Sequence, residues 1–261
     1  METAMTSSAD AAAARRRLSP AVWTPGAPLA GQMTVTAILG LAVTGTTWAV
    51  APDMAGRVAH YTGSAVHELG HAAASLIQGG RVHEIALNAG GGHAITSGGD
   101  RIASAVAGPL AVPALATAVI VAALCRWGIQ VWLAVIGLGL AVLAIGAAED
   151  VTVRWALLPT GAALAVAAIA PIYEALRASL LFCVGLALVW ATIQGIPYLA
   201  SAEAVMQDGS TVPSDTGRVA DLLDVPISDV RDALILTMVG FGLLGMAVVG
   251  RFLRLHGRTF L

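Results

Sequence analysis

Long apolar runs separated by short polar connections dominate the chain after residue 32. A helix needs about 20 mostly apolar residues to cross a bilayer. Runs of this kind lie at about 33–51, 56–78, 103–125, 129–147, 155–172, 179–199 and 233–250. The pattern predicts an all-α polytopic membrane protein, a bundle of six or seven transmembrane helices.

Two of the polar connections are longer than a turn. Between Gly79 and Gly99, two stretches with β-branched residues flank Asn88 and three glycines, which predicts a short Gly-rich β-hairpin. Residues 201–232 are acidic and predict a solvated extramembrane loop, with Ser214 and Ser228 as candidate caps of short helices.

The ends of the chain complete the predicted domain organisation. Residues 1–32 are rich in Ala, Ser, Pro and Gly and predict a polar, disordered tail. Residues 33–261 then form a single transmembrane domain. A secretory or twin-arginine signal is the less favoured interpretation of the tail, because no unbroken apolar segment follows its arginines.

Composition supports a membrane protein and excludes a soluble one. Of the 261 residues, 57% are hydrophobic and 11% are charged, whereas soluble domains carry roughly 25% charge. All 14 basic residues are arginines, the net charge is −2, and no basic tract offers a surface to nucleic acid. We therefore expect a multi-pass membrane protein, with the lipid bilayer as a partner and no nucleic acid.

The arginines near the two ends of the chain favour opposite orientations in the membrane if the number of spans is odd. The positive-inside rule places Arg15–Arg17 in the cytoplasm and makes the same demand for Arg251, Arg254 and Arg258. An odd number of spans cannot satisfy both. With seven spans and the N-terminus inside, the loop at 79–100 is expected on the cytoplasmic side.

One motif carries recognisable chemistry: His67-Glu68-Leu69-Gly70-His71. Residues four apart on an α-helix point in nearly the same direction, so His67 and His71 can bind one ion. Glu68 lies beside that ion without being a ligand, where a carboxylate can act as the general base. Two imidazoles, a third protein ligand and water predict a zinc site, and its setting within an apolar run favours a functional role.

At these residues the chain resembles the site-2 protease family of intramembrane zinc metalloproteases, and more closely its small bacterial, peptidase M50B-like branch. The resemblance extends over nearly the whole chain after residue 33. After the histidine motif it is carried by Gly79-Gly80-Arg81-Val82, Ala107-Gly108-Pro109 and, more weakly, by Glu149-Asp150, Thr160-Gly161 and the stretch from Ser214-Asp215 to Pro226.

The third metal ligand departs from the family pattern. Better-known site-2 proteases supply it from an Asp-Gly pair within a later span, whereas Asp208-Gly209 stands in the acidic loop. Asp150, at the end of the fourth apolar run, is the best available carboxylate, with His93 and Glu149 as alternatives. An equally favoured interpretation of Asp150 is a carboxylate at a helix end that pairs with Arg154.

The resemblance implies a protein of the bacterial cytoplasmic membrane that hydrolyses peptide bonds in membrane-embedded protein substrates. A strand edge of the hairpin beside the metal can accept an unwound substrate segment by β-augmentation. Two alternatives remain: a non-catalytic, site-2-protease-like membrane metalloprotein and, less favoured, a membrane transporter. The transporter is less favoured because few ionisable groups lie in the spans and no inverted repeat is visible.

Overall fold

The structure is a computed structural model that describes residues 29–205 and 209–257. Most of the predicted tail lies outside these ranges, and its last four residues begin the first helix. The described residues form eight helices: α1 (Leu29–Val50), α2 (Pro52–Ile77), α3 (Arg101–Cys125), α4 (Ile129–Gly146), α5 (Val151–Ile169), α6 (Glu174–Leu199), α7 (Asp215–Leu223) and α8 (Ile227–Gly257). The prediction of a mainly helical membrane protein is confirmed.

Six of these helices are long and apolar enough to cross a membrane, namely α1, α3, α4, α5, α6 and α8. The helix that carries the histidine motif, α2, is not among them. Asp53, Arg57 and the polar residues of the motif lie along it. The described chain is thus a multi-pass protein with six candidate spans.

The outer face of α4 shows how the bundle is solvated. Large apolar side chains are exposed along one stripe of this helix, at spacings of three and four residues: Val131, Val135, Leu138, Val142 and Ile145. Such a stripe is unfavourable in water and suits contact with lipid chains. The opposite face of α4 buries Leu133 and Leu140 in the largest apolar cluster.

The six candidate spans alternate in direction. At one end of the bundle, called the far end, Arg126 after α3 pairs with Glu174 at the start of α6 (3.2 Å) and donates to Thr36 Oγ1 near the start of α1 (3.2 Å). Trp127 packs there against Phe252, close to the end of α8 (ring centroids 5.4 Å apart).

The other end, called the hairpin end, carries the predicted β-hairpin. Its strands, β1 (Arg81–Asn88) and β2 (Gly91–Ser97), pair antiparallel across a two-residue turn. The connection between α4 and α5 adds to β1, because Leu87 N–H donates to the Ala147 carbonyl and Glu149 N–H donates to the Leu87 carbonyl (2.8 and 2.9 Å).

The path of α2 corrects the expected position of the 79–100 loop. Helix α1 ends and α3 begins at the hairpin end. The segment between them, which forms α2 and the hairpin, therefore starts and finishes on the same side of the bundle. The loop therefore lies at the opposite end from the start of α1, not on the same side as a seven-span count requires. Helix α2 supplies the residues of the site without adding a crossing.

A close contact between α4 and α5 fixes the connection that supports β1. At Gly137, an added Cβ would lie 2.5 Å from the Ala165 nitrogen, and at Gly161, one would lie 2.6 Å from the Gly137 carbonyl oxygen. Small residues at such a crossing let two helix backbones approach closely. This packing gives a physical reason for the glycine of the Thr160-Gly161 pair.

We predict that Gly137→Ala destabilises the protein by about 1–3 kcal/mol, because the methyl group meets backbone atoms of α5. The measurement is thermal unfolding in detergent. Gly139→Ala is the matched control on the same helix, since an added Cβ there meets nothing within 4 Å. Equal melting temperatures for the two variants would contradict the close contact.

Candidate metal centre

The two histidines of the motif lie on one face of α2, one turn apart. The centroids of the His67 and His71 rings are 4.8 Å apart. Both side chains are partly buried. The spacing expected from the sequence therefore brings two imidazoles to one place.

The carboxylate of Asp215 completes this pair. Its Oδ2 lies 2.9 Å from His67 Nε2 and 3.4 Å from His71 Nε2. The three ligand atoms all lie within 4.8 Å of one another. Among the described residues, this is the group of histidine, cysteine and carboxylate side chains arranged to hold a metal ion.

Local structure explains how Asp215 reaches the site. Ser214 Oγ accepts a hydrogen bond from Gly217 N–H (2.9 Å), which caps α7 as the sequence predicts. Ser214 N–H in turn donates to the carbonyl of Ala202, just after α6 (2.9 Å). This ties the start of α7 to the end of α6 and aims Asp215 at α2. The other predicted cap, Ser228, lies instead in the first turn of α8.

Hydrogen bonding around His71 favours a cation between the three side chains. His71 Nδ1 lies 2.7 Å from the Ser104 carbonyl oxygen, which can only accept, so Nδ1 carries a hydrogen. In a neutral imidazole, Nε2 then presents a lone pair to the Asp215 carboxylate. Two acceptors face each other favourably only with a proton or a metal ion between them. A backbone carbonyl that orients a histidine in this way is typical of metal sites.

Asp215 is held in its charged form. Burial works against the charge, but when a proton rather than a metal ion lies between the groups, the hydrogen bonds and positive charge of His67 and His71 outweigh burial and lower the pKa of the Asp215 carboxyl below its ordinary value. The Tyr198 hydroxyl donates a further hydrogen bond to Oδ2 (3.3 Å). The carboxylate is therefore ready to bind a cation.

Gly108, in the Ala107-Gly108-Pro109 motif on α3, leaves room for the site. A Cβ added to Gly108 would overlap His71 Nε2 and lie 2.9 Å from His67 Nε2. A side chain there would occupy the space into which both ligand nitrogens point. The absence of a Cβ at residue 108 is therefore a requirement of the site.

Glu68 lies next to this cluster and beside a cavity of about 630 Å³. Its side chain is 5% exposed, and an added Cβ on Gly92 in β2 would lie 2.9 Å from its Cγ. Burial raises the pKa of the Glu68 carboxyl, and the nearby imidazoles oppose that rise. A buried carboxyl with a raised pKa suits a group that accepts and returns a proton.

The structure does not bring Asp150 into the cluster. Asp150 Oδ2 accepts a hydrogen bond from the backbone N–H of Ala89 in the hairpin turn (2.7 Å), so its placement is that of a carboxylate at a helix end supporting the hairpin. The prediction of Asp150 depends on its place at the end of an apolar run, on the family resemblance and on its expected side of the membrane. Helix α7 folds back from the acidic loop and supplies a nearer carboxylate, Asp215.

The two alternative ligands also lie outside the group. Glu149 is exposed beside β1. His93 lines the cavity together with Glu68. Sequence reasoning missed Asp215 because it treated residues 201–232 as a solvated loop, although Ser214-Asp215 stands in a stretch that resembles the family.

These features define a multi-pass helical protein with a His-His-Asp cluster at one end of the bundle. Comparison with known families identifies the class, since the peptidase M50B-like family matches residues 33–250. The chain belongs to that family, which is one of metallopeptidases. Searches of curated proteins and of solved structures gave no match.

We predict that Gly108→Ala weakens zinc binding by about tenfold or more, because the new methyl group displaces the imidazole of His71. Zinc affinity of the purified protein, measured by competition with a chelator, tests this. Gly242→Ala in α8 is the control, since an added Cβ there meets nothing within 4 Å. Unchanged affinity in a folded Gly108→Ala protein would mean that the metal does not bind between these histidines.

Proposed function

We propose that this protein is an intramembrane zinc metalloprotease that hydrolyses peptide bonds of membrane-embedded protein substrates. The observation that carries the proposal is the position of buried Glu68 beside three converging ligand side chains, His67, His71 and Asp215. Membership in the peptidase M50B-like family supports it. The proposal replaces Asp150 with Asp215 as the third ligand.

The donor set fits zinc. Two imidazole nitrogens and one carboxylate oxygen are common zinc ligands in catalytic sites, which keep a fourth position open. When bound, zinc acts as a Lewis acid and lowers the pKa of coordinated water. His71 is oriented by the Ser104 carbonyl and Asp215 by the Tyr198 hydroxyl, so two of the three ligands are fixed by a second hydrogen bond.

Glu68 acts as the proton carrier of the reaction. Its carboxylate takes a proton from the attacking water and returns it to the nitrogen of the leaving amine. Its burial limits exchange of that proton with bulk solvent. Glu68 is adjacent to His67 in sequence and lines the cavity, but its carboxylate is not one of the three ligand groups.

Strand β2 supplies the binding edge for the substrate. Strand β1 already contacts the connection between α4 and α5, through Leu87, whereas β2 pairs only with β1 among the described strands. The start of β2, Gly91 to His93, lines the same cavity as Glu68. An unwound substrate segment can recover its backbone hydrogen bonds by pairing with this edge.

We predict that Asp215→Ala lowers the zinc affinity by about tenfold or more, because two remaining protein ligands hold zinc weakly. Asp221→Ala is the matched control, since Asp221 is an exposed carboxylate on the same helix. Asp150→Ala is expected to retain zinc. Loss of zinc in Asp150→Ala with retention in Asp215→Ala would restore Asp150 as the ligand.

We predict that Glu68→Gln retains zinc and loses activity by about 10²–10⁴-fold, because an amide keeps the shape of the side chain but cannot accept the proton. The assay follows cleavage of labelled casein and of a quenched fluorescent peptide with an apolar segment, both in detergent.

Glu84→Gln, at an exposed position of the hairpin, is the control for loss of a nearby carboxylate. Full activity of Glu68→Gln would refute the assigned role. A zinc-loaded wild-type protein that cleaves neither substrate would favour the non-catalytic metalloprotein.

A further inference from the structure

The hydroxyl group of Tyr198 borders the three ligand side chains of the candidate metal centre. Tyr198 lies in the last turn of α6. Its Oη is 3.3 Å from Asp215 Oδ2, the oxygen that faces the Nε2 atoms of His67 and His71. The centroids of the Tyr198 and His67 rings are 6.3 Å apart. A hydroxyl group therefore lies directly beside the ligand atoms.

The same side chain forms part of the cavity wall. One face of α6 lines the cavity beside Glu68, through Thr192, Gly195, Tyr198 and Leu199. These residues follow one another at the spacings of one helix face. A peptide carbonyl that approaches the ligand group from the cavity therefore also approaches the Tyr198 hydroxyl.

The hydrogen bonds that hold this hydroxyl are long. It donates to Asp215 Oδ2 and accepts from Asp215 N–H, each over 3.3 Å, whereas hydrogen bonds in proteins are commonly about 2.7–3.0 Å long. A hydroxyl that is held weakly can turn to a stronger acceptor at little cost. A phenol is also protonated at neutral pH, so it presents a donor.

Other hydroxyl groups of the cavity wall are less well placed. Thr192 Oγ1 donates to the Leu188 carbonyl (2.9 Å), and Ser201 Oγ donates to the Glu203 carbonyl. Apart from the ligand histidines, Tyr198 is the side chain that is hydrogen-bonded to Asp215 among the described residues. It is thus the donor of the cavity wall that lies nearest to the ligands.

The proposed hydrolysis needs a donor that Glu68 cannot supply. The oxygen of water bonds to the peptide carbonyl carbon, the π electron pair moves onto the carbonyl oxygen, and Glu68 takes one proton from the water. The pair then returns, the C–N bond breaks, the nitrogen takes the proton from Glu68, and the new carboxylic acid releases its own proton to solvent. Glu68 serves the water and the amine, so another group must stabilise the oxyanion.

We propose that Tyr198 is a further catalytic residue, whose hydroxyl donates a hydrogen bond to the oxyanion of the scissile peptide and keeps its own proton throughout. The inference rests on the proposed proteolytic function and extends it. A purely structural role, in which the hydroxyl only orients Asp215, predicts different measurements.

The first test is Tyr198→Phe, which removes the hydroxyl and keeps the ring. At saturating zinc, kcat for the quenched fluorescent peptide is expected to fall by about 10²–10³-fold with KM nearly unchanged, because the hydrogen bond forms only in the transition state. Tyr173→Phe is the matched control, since Tyr173 is an exposed tyrosine just before the same helix.

Zinc affinity, measured in parallel by competition with a chelator, separates the two roles. Weaker zinc binding in Tyr198→Phe together with an unchanged kcat at saturating zinc would show that the hydroxyl only orients Asp215, and this result would overturn the proposal.

A second test measures binding without turnover. In zinc-loaded Glu68→Gln protein, with and without Tyr198→Phe, fluorescence anisotropy follows binding of the substrate peptide and of its phosphinic analogue, whose tetrahedral group carries an anionic oxygen. Loss of the hydroxyl is expected to weaken binding of the analogue by about 10–10²-fold, as for one hydrogen bond to a charged group, and to leave the substrate peptide unaffected. Equal effects on the two ligands would overturn the proposal.

Failure of the proposed function gives a different result from failure of this inference. Active wild-type protein with an equally active Tyr198→Phe variant removes only the role of Tyr198. Zinc-loaded wild-type protein that neither cleaves the peptide nor binds the phosphinic analogue argues against a protease, and the inference then falls with it.

Discussion

Two imidazole nitrogens face one carboxylate oxygen in a partly buried cluster at the hairpin end of the bundle, and much of the surrounding structure holds these three groups in place. A buried carboxylate is costly unless charges or hydrogen bonds compensate it. His67, His71 and Tyr198 compensate Asp215. The Ser104 carbonyl fixes His71 so that its second nitrogen faces the same point. The three ligands come from two helices, α2 and α7.

Close packing of backbones makes room for this arrangement. Gly108 on α3 leaves room for both imidazoles. Gly70 on α2 allows this helix to approach the carbonyl of Ala107 on α3. At the start of α7, Gly217 lies against the carbonyl of Ala202 and holds Asp215 close to the end of α6. The glycines in the motifs that resemble the family are therefore needed because they have no side chain, which lets the neighbouring backbones and imidazoles come close.

Architecture and chemistry depend on the same feature, the path of α2. A helix with a buried carboxylate and two ligand histidines is poorly suited to a full crossing of the lipid core. Because α2 leaves and returns at the hairpin end, its polar face can pack on α3 and α6 and border a cavity. The same path makes the number of candidate spans even and places both ends of the bundle together.

The sequence alone determined the features that depend on local spacing. Apolar runs of sufficient length predicted the spans, Asn88 with its glycines predicted the hairpin, and two histidines four apart predicted a paired site on one helix face. The identity of the third carboxylate depended on tertiary structure, because Asp215 is 148 residues from His67 along the chain. Loop closure over that distance is set by α7 packing against α3, α6 and α8, which no local pattern encodes. The path of α2 was likewise decided by packing, since an apolar run of spanning length fits a helix that crosses the membrane and one that does not.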